Sequence, residues 1–372
     1  MESKKLFVFF SISLVLICSC NSGKEYSDEL VKVELNNTKK TLALSSLFEG
    51  VDVIPLQGSI GNLIGQVRNI VFTEELIIVF DNLQERLFCF DKSGSYKYSV
   101  DAQGDGPMEY VSITDYTINQ SMNSIEVYSF KQGKLVGFDL ESGEAIYNRR
   151  FNYYLREFTW LSTNEYLIYS PDILNNELDG GLIKRGSFIV SSQGDFIRHL
   201  DINNKESYTQ PMNVLSGYGD YALLVPSYSQ NVFEFKSGEF HNDYVLTTPD
   251  TEEGFGYAAP LSVSGTKNSK LIEYGIPEGS VKTVLFSDSQ KISDFIYFKN
   301  DVFNFPIKPQ FVDYDGGLID ILSFEKYSYI KQNLGEVQES RFFQSAINEN
   351  FFTILSDFKE SSNPILIKIK TK

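Results

Sequence analysis

The sequence predicts an all-β fold built as a ring of repeated sheets, on three observations. Helical periodicity is scarce in the 372 residues. Short alternating or wholly apolar runs recur instead, separated by clusters of Gly, Asn, Asp and Ser. The 30 Phe and 22 Tyr, against one Trp and four Met, favour pleated surfaces, where aromatic rings pack well. Third, one motif repeats: FCFDKSG (88–94), GFDLESG (137–143), FIVSSQG (188–194) and FEFKSG (233–238) each pass from an apolar strand end through polar residues to a turn glycine. The glycines stand at 94, 143, 194 and 238, with spacings of 49, 51 and 44, and VLFSDSQ (284–290) is a degenerate fifth copy. A repeat of about 40–50 residues carrying four short strands is one propeller blade. Residues 60–372 hold six of them, so the predicted fold is a six-bladed β-propeller.

The elements follow in order. Residues 1–19 read as an export signal, with Lys4 and Lys5 ahead of a 12-residue apolar core at 6–17, too short to span a bilayer. Residues 20–45 are polar and read as a tether, and 46–372 as the propeller. Blade 1 is expected as VRNIVFT, LIIVFD, RLFCFD and SYKYSVD, from the axis outwards, and blade 2 as ITDYTIN, SIEVYS, LVGFDL and AIYNRRF. A propeller leaves long unpaired edges unless its ends pair. The strand VDVIPLQ (51–57) is therefore expected to close the ring against NPILIKIK (363–370). Residues 339–352 form one helix-like insertion in the last blade. Between blades 1 and 2, DAQGDGPMEY (101–110) reads as a connector, turned by Gly104 and Gly106 and stiffened by Pro107.

Two stretches carry family resemblances. ICSC (17–20) resembles the lipobox of bacterial lipoproteins, which implies that Cys20 becomes the first mature residue and carries diacylglycerol plus an N-acyl chain. Several acyl chains anchor durably where one does not. Together with IPLQ…GNLIGQV, GDGPMEY, the strand–turn repeats and SSNPILIKIK, the chain resembles the six-bladed β-propeller lipoproteins common in Bacteroides and relatives. Met108 stands where that pattern has a second glycine. The resemblance implies the fold and an outer-membrane address, and it brings no established activity.

Composition narrows the chemistry. Removing residues 1–19, which carry Glu2, Lys4 and Lys5, moves the formal charge from −16 to −17. A chain this acidic is repelled by phosphate backbones, so nucleic acid is not expected as a partner. Once Cys18 leaves with the signal and Cys20 is lipidated, Cys89 stands alone without a disulfide partner and reads as a core residue. HExxH, GxSxG, a Walker loop and paired CxxC are absent, and the two histidines, His199 and His241, fall on different blades. Histidine-dependent catalysis and most zinc sites are therefore disfavoured.

Binding has the broader support. In a propeller, the loops from outer to next inner strand and from second to third strand share one face. Here that face collects 82–85, 104–110, 131–134, 171–187, 227–231 and 277–282. Its candidate ligand contacts are Glu109, Tyr110 and Trp160, with Tyr153, Tyr154 and Tyr228 as further aromatics. Arg149, Arg150 and Arg156 form a basic cluster able to grip a carboxylate. The expected role is a membrane-anchored, non-catalytic protein that binds a glycan, peptide or envelope-protein partner and needs no cofactor. The alternative is a hydrolase or lyase with calcium in the central channel. For that ion Asn69, Asp115, Glu157, Asn213 and Asp313, in or beside inner strands, offer hard oxygen ligands.

Overall fold

The computed structural model describes residues 31–34, 41–59, 61–171, 185–202, 213–226, 231–247, 259–275, 281–287, 290–295, 297–299, 307–333, 353–354, 357–359 and 362–371. The signal segment, Cys20, Tyr228, the helix-like stretch 339–352 and most of the long loops at 171–187, 227–231 and 277–282 lie outside the described residues.

Six antiparallel sheets follow one another along the chain. Blade 1 comprises Val67–Phe72, Leu76–Asp81, Arg86–Asp91 and Tyr96–Val100. Blade 2 comprises Asp115–Asn119, Ser124–Ser129, Lys134–Asp139 and Ala145–Arg150. Blade 3 runs from Glu157–Leu161 to Phe196–Ile202, blade 4 from Leu215–Tyr218 to Glu239–Thr247, and blade 5 from Ala259–Gly265 to Gln290–Phe295. Blade 6 takes Phe311–Val312, Leu318–Leu322 and Ile365–Thr371 from the end of the chain, and its outer strand, Phe48–Pro55, from the beginning.

The cores explain the composition. Each apolar cluster fills the gap between two neighbouring blades rather than a common centre. Leu76, Ile78, Phe80, Leu87 and Cys89 pack towards blade 2, while Ile77, Val79, Phe88 and Phe90 pack towards blade 6. Both faces of a blade are thus buried, so a second strand such as LIIVFD is apolar at nearly every position and all six residues are buried. At about 1.5–3 kcal/mol for each fully buried Leu, Ile or Phe, these gaps carry most of the stabilisation.

The repeated glycines mark the third-to-outer hairpins. Gly94, Gly143, Gly194 and Gly238 adopt φ of 86°, 74°, 88° and 83°, the left-handed region. In blades 1 and 2 the aspartate that ends the third strand caps the turn. Asp91 Oδ1 accepts from the Ser93 and Ser95 amides, and Asp139 Oδ1 from those of Glu141 and Ser142. The Ser93 and Ser142 hydroxyls, which donate to the same oxygens, and then these amides lower the pKa of Asp91 and Asp139.

Closure follows the expected pairing. Ile365–Thr371 lies antiparallel to Phe48–Pro55, with Leu366 opposite Ile54 and Ile369 opposite Val51. Asn363 locks the junction. Its Nδ2 donates to the carbonyls of Gln57 (3.1 Å) and Asn62 (2.9 Å), and its Oδ1 accepts from the Ile64 amide (2.7 Å). Gly94 sits against the same junction, its carbonyl accepting from the Gln57 amide at 2.8 Å.

Three local features lie outside the sequence reading. Val31–Glu34, within the expected tether, adds a parallel fifth strand to the rim of blade 4, and Thr41–Ala43 pairs in parallel with Tyr297–Lys299. Phe324–Gln332 is a helix capped by Ser323. Its aromatic residues and Ile330 resemble a strand in composition, and only Tyr327 and Ile330 are buried. Met108 is not among the non-glycine residues with positive φ (Glu85, Asn123, Asn164 and Ser237), so its place in the connector needs no glycine.

Candidate ligand site in the central channel

The innermost strands surround an axial cavity of about 240 Å³ to which all six blades contribute. Their inner edges expose backbone N–H groups with no further strand to pair them, and the structure satisfies many by side chains from the preceding blade. Asp115 Oδ2 of blade 2 accepts from the Phe158 amide of blade 3 at 2.8 Å, and Thr117 Oγ1 from the Trp160 amide at 2.9 Å. Glu157 Oε2 accepts from the Val214 and Leu215 amides of blade 4 at 2.9 and 2.8 Å. Ser216 Oγ takes the Gly265 amide of blade 5 at 3.2 Å, and Ser264 Oγ takes the Val312 amide of blade 6 at 2.8 Å. Polar residues recur on inner strands because they clip each blade to the next.

The inner strands run away from the loop-rich face, so their first residues form the mouth. There the polar groups exceed what the clips use. The Arg68 guanidinium lies 5.6 Å from the Phe80 ring centroid and makes no hydrogen bond or ion pair to the described residues. The side-chain amides of Asn69 and Asn213 likewise make none. Glu157 is 4 % exposed, and its Oε1 has no hydrogen-bond partner. The Tyr116 hydroxyl, also on the cavity wall, has none either. Burial pushes the Glu157 carboxyl up to about 8, reinforced by the Asp115 charge, and burial pushes Asp115 up to about 7. Below the mouth the lining is mixed, with Ile70, Val71, Phe72, Ile118 and Val312 alongside Thr117, Thr159, Ser216 and Ser264. At the far end Tyr218 and Tyr314 meet edge to face with centroids 5.7 Å apart, and the Tyr314 hydroxyl donates to Glu74 Oε1 at 2.7 Å.

The structure thus brings Asn69, Asp115, Glu157 and Asn213 to one cavity and leaves Asp313 out of it. Asp313 pairs with Lys368 at 2.5 Å and accepts from the Asp315 amide, in a groove between blades 6 and 1. Calcium takes six to eight oxygen ligands. Two carboxylates remain at the mouth, each with one oxygen held by the next blade, and among the described residues no three His, Cys, Asp or Glu side chains gather for a metal. This donor set does not fit a calcium centre.

The expected mouth aromatics and arginines mostly serve the fold. Tyr110 is buried between blades 1 and 2, its hydroxyl sharing a proton between the Glu85 and Val100 carbonyls at 3.0 and 3.1 Å. Trp160 is 5 % exposed and packs in the core between blades 2 and 3, together with Tyr153, while the Tyr154 ring lies tilted against Phe130. Glu109 is exposed but folds back, its Oε2 accepting from the Gly106 amide at 2.7 Å. Arg149 and Arg150 are neighbours on one strand and so face opposite sides. Arg149 turns inward to pair with the fully buried Glu126 at 2.7 Å beneath the Tyr166 ring. Arg150 bonds Asn152 at the surface. Arg156 stands beside Glu157 with its Nε buried and unpartnered. Cys89 is buried, and desolvation pushes its thiol up to about 12, which makes it a poor nucleophile. Arg68 escaped the sequence reading because a bulge between Val67 and Asn69 turns its side chain towards blade 2.

A solved structure agrees with this architecture. A crystal structure of the Bacteroides fragilis protein BF0058, described as exported, superposes with a TM-score of 0.69 at 14 % identity, over 92 % of this chain and 99 % of that one. A member of the DUF4221 family from Bacteroides vulgatus aligns with a TM-score of 0.49 at 10 % identity, over 88 % of this chain and 97 % of that one. No curated protein matches the sequence. Residues 21–306 match the family DUF5128, described as a 6-bladed beta-propeller, and the chain belongs to that family.

Proposed function

We propose that this protein is an exported lipoprotein, tethered to the outer membrane through Cys20, that binds a small polar ligand in the mouth of its channel without transforming it. One observation carries the binding reading. Arg68, Asn69, Glu157 and Asn213 converge on one cavity with unused hydrogen-bonding capacity. The buried Glu157 Oε1 without a partner costs about 1–3 kcal/mol, and the partly buried Arg68, Asn69 and Asn213 add free donors beside it, so the set is poised for a ligand that supplies the partners. At about 30 Å³ per water, the cavity displaces on the order of eight waters, the scale of one sugar ring or one amino acid. The lipobox residues 17–20 support the tether, and the description of the Bacteroides fragilis relative supports export.

Two measurements test this reading. Thermal shift against monosaccharides, amino acids and dipeptides is expected to raise the melting temperature for at least one class, an effect that Asn213→Ala weakens; no rise with any class defeats the binding reading. Cys20→Ala is expected to move the protein from the membrane to the soluble fraction, and unchanged membrane association defeats the anchor.

A further inference from the structure

We propose that the channel ligand is a small zwitterion, an ammonium and a carboxylate on one short aliphatic skeleton, as in a free α-amino acid with an aliphatic side chain. The inference rests on the reading of the mouth as a ligand site and adds the class of ligand.

The arrangement of charge around the ring carries it. Going round from blade 1 to blade 4, the mouth presents Arg68 with Asn69, then Asp115, then Glu157, then Asn213. The cationic end is a guanidinium held over Phe80 with its N–H fork unused, the geometry that takes a carboxylate through two parallel hydrogen bonds. Across from it stands the Glu157 carboxyl, whose Oε1 is buried and unpartnered although its Oε2 holds two amides of blade 4, and an ammonium brought against that oxygen favours the ionised form. Arg68 and Asp115 sense each other's charge but form no ion pair, so opposite charges face one cavity without neutralising each other.

A simple anion satisfies Arg68 and is repelled by the two carboxyl groups. A simple cation does the reverse. A neutral polyol brings no counter-charge to Arg68 and no cation to the buried Glu157 carboxyl. A zwitterion matches both ends at once. Ile70, Val71, Ile118 and Val312 among the mixed lining below the mouth give an aliphatic side chain apolar contacts, and the Tyr218–Tyr314 pair limits its length.

The test is calorimetric titration of the purified chain with L-leucine, with 3-methylbutylamine (leucine without its carboxylate), with 4-methylpentanoate (leucine without its ammonium) and with D-glucose. Leucine is expected to bind at least tenfold more tightly than either singly charged analogue. Arg68→Gln should weaken leucine at least tenfold and leave the amine unchanged; Glu157→Gln should weaken leucine and leave the carboxylate unchanged. The wild-type series is decisive even if a variant folds poorly. Either analogue binding as tightly as leucine overturns the zwitterion. Glucose binding in preference to all three overturns it while the channel site stands, and no binding by any of the four overturns both.

Discussion

Asn363→Ala is the sharpest test of how the ring is closed. Asn363 is 2 % exposed, and its side chain makes three hydrogen bonds that tie the last strand to residues 57–64, about 300 positions earlier in the chain. Alanine removes all three and leaves the Ile64 amide and the Gln57 and Asn62 carbonyls short of partners. A net hydrogen bond contributes about 0.5–1.5 kcal/mol, and a buried group left unsatisfied costs about 1–3 kcal/mol. Partial relaxation of the exposed neighbours Gly61 and Leu63 lets water reach some of them, so the expected loss is about 3 kcal/mol. At about 2.1 cal/mol/K of unfolding entropy per residue, a cooperative unit of several hundred residues loses about 1–2 °C per kcal/mol. The melting temperature followed by circular dichroism should therefore fall by about 3–6 °C. Hydrogen exchange should accelerate first in 365–371 and 48–55, the two strands that close blade 6. Asn363→Asp keeps the acceptor for Ile64 and loses both donated bonds, so its melting temperature should lie below wild type. A melting temperature for Asn363→Ala within 1 °C of wild type, or exchange that accelerates uniformly, refutes the idea that this residue fastens the ring.

Two further outcomes test the turns and the channel. Gly94→Ala should cost about 2–4 kcal/mol by denaturant unfolding, because φ is +86° and an added Cβ would fall 2.2 Å from the Pro55 carbonyl oxygen. Gly194→Ala, at φ +88° with its nearest neighbours at 3.8 and 4.0 Å, should cost only about 1 kcal/mol; equal losses refute the docking role of Gly94. Glu157 has a folded-state pKa of about 8, above its ordinary value of 4.5, so the folded state holds the proton more tightly. Its contribution is present below about pH 4.5 and is lost as pH rises through about 8, amounting to a few kcal/mol. The urea midpoint should therefore fall between pH 5.5 and 8 more steeply in wild type than in Glu157→Gln, and parallel slopes refute the assignment.

The sequence was most legible where both faces of a strand are buried and a left-handed glycine ends the hairpin. The second and third strands of blades 1 and 2 were readable for that reason, while outer strands such as Ala145–Arg150 were readable from their alternation, and the closing pair at 48–55 and 365–371 from the need to close the ring. The parallel rim strand at 31–34 was not, because a short strand paired only at a sheet edge carries no two-sided apolar pattern. Within the site, Asn69, Asp115, Glu157 and Asn213 stood out as polar residues at the starts of apolar inner strands. Tyr110 and Trp160 looked equally functional, since an aromatic beside a polar loop can face either way until the pairing is known. The hydrogen bond of Tyr110 to Val100 and the packing of Trp160 beneath blade 2 depend on such contacts between blades. Arg149 shows the same limit: its partner Glu126 is 23 positions away, and nothing local marks the pair.

The clips also separate what the ring needs from what it does not. Thr117, Ser216 and Ser264 hold amides of the following blade with one hydroxyl oxygen each, so neutral side chains are sufficient for assembly. Glu157 performs the same task with Oε2 alone, taking two amides, and a glutamine carbonyl oxygen offers the same acceptor without a charge. Its second oxygen therefore adds nothing to assembly, yet it keeps a carboxyl group buried at a point where desolvation opposes ionisation. Arg68 likewise spends its guanidinium on no structural partner among the described residues. Packing alone selects against both features, because a buried unmatched carboxyl oxygen destabilises the fold. Their meeting in one cavity, from blades 1 and 3, is accounted for when the missing partners arrive with a ligand. By that reasoning Glu157→Gln should leave the propeller folded and at least as stable near pH 8, while removing the ionisable group on which ligand choice depends.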